Sequence, residues 1–143
     1  MPPNGSLRQA WVSLAFWISF GLLVEGMIGF RLPALLDDSV RREMFRLAHA
    51  HGTLLNLVLV AAILCARLDL ISFVRGSALA LRAAVVLLPL GFLLAGIWHY
   101  KNEPGLGIWL VPIGAVLLLL AAVMLALSAR AGAASAEQRR SPR

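Results

Sequence analysis

Four apolar runs, each about 20 residues long, decide what this chain can fold into. They occupy segments 10–30, 47–66, 79–98 and 108–128. A helix of about 20 apolar residues crosses a bilayer core of about 30 Å. Water is missing from that core, so each run must satisfy its own backbone N–H and C=O groups, which a helix does. The expected fold class is therefore all-α, an integral membrane four-helix bundle. Composition agrees: the chain is 60% hydrophobic and 14% charged, whereas soluble domains average about 45–50% and about 25%. A net charge of +6 does not point to nucleic acid here. The arginines flank the apolar runs and fill the last residues, as expected of groups that meet lipid headgroups.

Charge also suggests a direction. One side would carry Arg8, the loop arginines Arg67, Arg75 and Arg82, and Arg130, Arg139, Arg140 and Arg143. The other would carry Arg31, Arg41, Arg42, Arg46 and Lys101. The larger set belongs in the cytoplasm, which puts both termini there. The expected location is a bacterial inner membrane. The first run has a long apolar core and only Arg8 before it, so it reads as a retained helix rather than a signal peptide. Segment 129–143 is small, polar and basic, and reads as a disordered cytoplasmic tail. The expected partners are the lipid bilayer and either a second copy of the chain or a larger membrane complex.

Local signals add detail. Asp37, Asp38 and Ser39 offer N-cap oxygens ahead of Val40, Met44 and Leu47 at helical spacing, so an interfacial helix is expected over about 36–46. Pro89 and Pro112 fall inside the third and fourth runs, where they can kink a helix. Trp11, Trp17, Trp98, Tyr100 and Trp109 lie near run ends and read as an interfacial aromatic belt. Asn102 to Gly107 reads as a tight turn. The single cysteine, Cys65, excludes a disulfide within the chain and reads as a core residue.

Ionisable groups within spans are functional candidates by default. Chain direction puts Glu25, His49, His51 and His99 at similar depth near one membrane face. Imidazole nitrogen and carboxylate oxygen are ligands for transition metals, so these four residues form the candidate metal set. Helix geometry separates the two neighbouring histidines, because residues two apart point about 200° from each other. His49 shares a face with Gly52, Thr53 and Asn56, a polar stripe that belongs inside the bundle. His51 shares a face with Leu54, Leu55 and Val58, and is expected to be more peripheral. Gly21, Glu25 and Gly29 recur at spacing four, so both glycines are expected at a close helix contact. The competing structural role for Glu25 is a salt bridge to Arg31, Arg46 or Lys101. No catalytic nucleophile with a positioned base is visible.

The segment Arg46-Leu-Ala-His49-Ala-His51-Gly-Thr-Leu-Leu55 resembles one helix of the haem-copper oxidase superfamily, in the catalytic subunits of cbb3-type oxidases and nitric oxide reductases. It is also similar to that of small four-helix membrane proteins carrying His-x-His at the same place. In the oxidases, an Arg-x-x-His at a helix start supplies an axial ligand to haem. The resemblance implies His49 as a haem ligand, with either His99 or the same residue of another subunit as the second. It covers one helix of four, and the later histidines of those much larger subunits have no counterpart here, so oxidase activity is not implied. The leading functional reading is a non-enzymatic accessory or assembly module with a His/Glu site near the outer face. The alternatives are a haem- or metal-binding redox protein, and an enzyme or transporter for a lipid-soluble substrate.

Overall fold

The computed structural model describes residues 4–140. Helix α1 spans Asn4–Gly29, a single-turn α2 spans Pro33–Leu36, α3 spans Ser39–Arg67 and α4 spans Arg75–Ile97. A 3-10 turn at Leu106–Trp109 leads into α5, Leu110–Arg140. Four of these helices are long and apolar enough to cross a membrane. The all-α four-helix membrane bundle is therefore the fold.

The long helices follow one another antiparallel. α3 and α4 form the centre; α1 lies against α3, and α5 lies against α4. The core is Leu55, Leu59 and Ile63 from α3 with Leu81, Val85 and Leu88 from α4. Outward-facing apolar side chains on α1 and α5, such as Leu22, Leu23, Leu119 and Leu127, stay exposed and are the surface for lipid.

Helix boundaries follow local chemistry. α1 and α3 both end in a Schellman motif. Arg31 and Asp69 adopt left-handed backbone, with φ of 53° and 57°. Leu32 N–H donates to Met27 O and Leu70 N–H to Cys65 O. The Asp38 carboxylate caps α3 by accepting from Arg41 N at 2.9 Å, as the Asp-Asp-Ser sequence suggests.

Some boundaries differ from the sequence reading. The interfacial helix expected over 36–46 is not separate. It is the opening of α3, because no breaker lies between Ser39 and Leu47 and the Val40, Met44, Ala48 face continues unbroken. Pro112 sits in the first turn of α5, where its missing N–H costs nothing. Pro89 is inside α4. α5 stays helical through Arg140; Ala-rich segment 129–140 contains good helix formers. The end of the expected tail, residues 141–143, lies outside the described residues.

Glycines set how closely helices approach. A Cβ at Gly91 or Gly107 would strike the facing segment between α4 and α5, and one at Gly114 would strike Leu88. Gly96 lets α4 meet Met44 and Phe45 of α3.

A candidate binding cleft between two helices

The polar stripe of α3 faces α1. Gly52 receives the indole of Trp17, which lies against it too closely for any side chain to fit. Trp17 is 4% exposed, so it is a packing residue rather than part of the aromatic belt. The shape of this contact explains why: a large ring needs a glycine opposite it, and Gly52 supplies one. Trp11, Trp98, Tyr100 and Trp109 do stay exposed near the helix ends. One turn further along α3, the Asn56 amide donates to Gly52 O at 2.7 Å and to Ser13 Oγ at 3.0 Å. Its Oδ1 is buried without a partner.

His49 sits above this contact, with its ring directly on Gly21 of α1. Its Nδ1–H donates to Trp17 O at 2.8 Å, and Thr53 Oγ1 is 3.4 Å from the same nitrogen. A carbonyl can only accept, so the proton is on Nδ1. In the neutral tautomer that carries this proton, Nε2 is an acceptor. The glycine at 21 makes this seat, and the spacing-four pattern was the signal for it. Gly29 has open space around it and makes no close contact. It is the last residue of α1, beyond the stretch that presses on α3.

Glu25 lies one turn along α1 from Gly21. A cavity of about 350 Å³ is lined by Gly21, Val24 and Glu25 of α1 and by Glu43, Arg46 and His49 of α3, among others. Glu25, Glu43 and Arg46 are exposed at its rim, and His49 is half-buried in its wall. Among the described residues, Glu25 makes no ion pair within 4.0 Å, so the competing role, a salt bridge to Arg31, Arg46 or Lys101, is not formed. Glu43 is a cleft residue that the sequence reading did not select, and Arg46 entered it only as a salt-bridge partner for Glu25. The i, i+3 spacing of Glu43 and Arg46 was a usable signal.

His51 and His99 lie elsewhere. His51 is on the opposite side of α3, where its ring stacks near Phe92 of α4 with centroids 5.0 Å apart. Its Nδ1–H donates to Leu47 O at 2.9 Å. It is as half-buried as His49, not more peripheral, because α3 is flanked on both sides by helices. His99 follows α4 and is tied to the start of α3. Its Nε2 lies 2.7 Å from Asp38 Oδ2, and its Nδ1 lies 2.9 Å from Tyr100 O.

Arg41 extends this second cluster. Its guanidinium is 3.6 Å from Asp38 and donates to Gly96 O and Ala34 O. Gly96 is near the C-terminus of α4, where carbonyls lack helical partners. Arg42 similarly donates to Leu36 O at 2.8 Å. These contacts latch α2, α3 and α4 together at one end of the bundle. Partial burial alone would raise the Asp38 pKa. The Arg41 N–H, the His99 ring and the Arg41 charge outweigh it and hold the carboxyl below its usual value.

The candidate metal set is thus divided: Glu25 and His49 share a cleft, while His51 and His99 have separate partners. Among the described residues, no three His, Cys, Asp or Glu side chains gather where they could hold a metal ion. A haem held by His49 and His99 of one chain does not fit this arrangement either. His49 lines the α1–α3 cleft, whereas His99 lines a different cavity with Trp98, Tyr100 and Leu106. No family model, curated protein or solved structure matches the chain.

Proposed function

We propose that this protein is a multi-pass bacterial inner-membrane module with cytoplasmic termini, which acts by binding rather than by catalysis. Its binding site is the cleft between α1 and α3. The observation that carries this reading is the pairing of Glu25 and His49 around one cavity, with the His49 ring held in its wall by the Nδ1–H bond to Trp17 O. Glu25 lies four residues before the end of α1, about 6 Å along the helix axis, near the headgroup level. A site at that depth, open at its rim, suits a ligand or accessory partner that arrives through the bilayer. Its size falls within the range of about 300–1,000 Å³ common for small-molecule sites. The orientation rests on the basic residues, eight on the side of the termini against five on the other.

The test is to extract the full chain gently from membranes and identify by mass spectrometry the small amphiphiles that accompany it. The Glu25→Gln/His49→Gln variant is treated in parallel. At least one amphiphile should be depleted in the variant. An identical set from both proteins would contradict the binding role.

A further inference from the structure

We propose that the α1–α3 cleft seats the headgroup of a zwitterionic phospholipid bearing a primary amine, the chemistry of phosphatidylethanolamine. This rests on the binding role assigned to the cleft above, and narrows its occupant. The charges around the cavity are mixed and complementary to such a headgroup. Glu25 and Glu43 are carboxylate acceptors, the neutral His49 tautomer with its proton on Nδ1 offers Nε2 as a third, and Arg46 is a guanidinium donor. A primary ammonium carries three N–H donors, and carboxylate and imidazole acceptors suit them. A phosphodiester suits the guanidinium of Arg46. The headgroup would lie with its amine toward Glu25 and His49 and its phosphate at Arg46. The acyl chains would run along the exposed apolar surface of α1, past Leu22 and Leu23.

The same chemistry disfavours other lipids. A choline headgroup carries a full positive charge but no N–H, so it cannot satisfy the three acceptors. A phosphatidylglycerol headgroup presents its negative charge beside two carboxylates and offers no cation in return. A soluble phosphoethanolamine has the matching groups but lacks chains to cover the flanking apolar surface, so the lipid is the occupant that uses the whole site.

Native mass spectrometry of the full chain in detergent tests this. The probes are phosphatidylethanolamine, phosphatidylcholine and phosphatidylglycerol with the same acyl chains, at equal concentrations. The amine lipid should be retained about tenfold over the choline lipid, the scale of one charge-assisted hydrogen bond. Glu25→Gln should remove most of that preference, and Arg46→Gln should lower retention of both lipids. Glu43→Gln supplies a second variant, at an exposed rim position; circular dichroism should show parental helix content for all three. Equal retention of amine and choline lipids by the parent would overturn the proposal. So would a preference for phosphatidylglycerol, or a preference untouched by both Glu25→Gln and Glu43→Gln. Displacement of the lipid by soluble phosphoethanolamine at equal concentration would also overturn it. If the lipid preference is absent but some other accompanying amphiphile still depends on Glu25 and His49, only this inference falls. If none does, the binding role falls with it.

Discussion

Gly21→Ala is a small change with a specific expected cost. The added Cβ would overlap the His49 ring, so the ring or the whole of α1 must move. Overpacking a close contact costs about 1–3 kcal/mol. Moving the ring also breaks the Nδ1–H bond to Trp17 O, worth about 1 kcal/mol. Alanine is the better helix former and returns up to about 1 kcal/mol. The net destabilisation should therefore be about 2 kcal/mol, allowing for partial relaxation. Gly26→Ala and Gly29→Ala are matched controls on the same helix, because neither glycine has a neighbour within 4 Å of the new methyl. These should be neutral or slightly stabilising. Reversible unfolding in mixed micelles, titrated with a denaturing detergent, compares the three directly. Equal stabilities for Gly21→Ala and Gly26→Ala would refute the seating of His49 on Gly21.

Three further outcomes are expected. Asp38→Ala should cost about 1–2 kcal/mol, combining a lost N-cap with a solvent-screened contact to His99. Because the folded Asp38 pKa is lowered, its contribution is fully present above the usual carboxylate pKa of about 4 and is lost as pH falls below it. The parent should thus lose stability at acid pH more than Asp38→Ala does, as read by the same unfolding assay. Asp69→Gly should stabilise by up to about 1 kcal/mol, since glycine accepts the left-handed conformation without strain; an unchanged or lowered midpoint would argue against the Schellman end of α3. Reporter fusions after Ser128 and within the Asn102–Gly105 loop should report cytoplasm and exterior respectively, and the opposite pattern would reverse the orientation without altering the spans.

The spans were legible because membrane insertion imposes one simple requirement on each helix, independent of the others. Depth was legible for the same reason: chain direction alone puts Glu25, His49, His51 and His99 near one end. Lateral position was not. It depends on which helices are neighbours, and a hydropathy pattern is silent on that. His51 looked peripheral because its face is apolar, yet that face meets Phe92 of α4. Trp17 looked interfacial by its place near the start of a span, yet Gly52 of another helix makes room for it in the core. The Gly21 contact was legible through its spacing from Glu25. The Asp38–His99–Arg41 latch joins residues about 60 positions apart and left no local trace beyond the cap.

The state of His49 gives the most direct test of the cleft. Solid-state NMR of the full chain in bilayers, with histidine, glycine and tryptophan isotopically labelled, reads both the ring proton and its neighbours. A His49 ring with a proton on Nδ1, correlated with the Gly21 Cα and the Trp17 carbonyl carbon, is the predicted result. An Nδ1 without a proton, or a ring correlated with lipid chains but not with Gly21, would contradict the assignment of this cleft as the binding site.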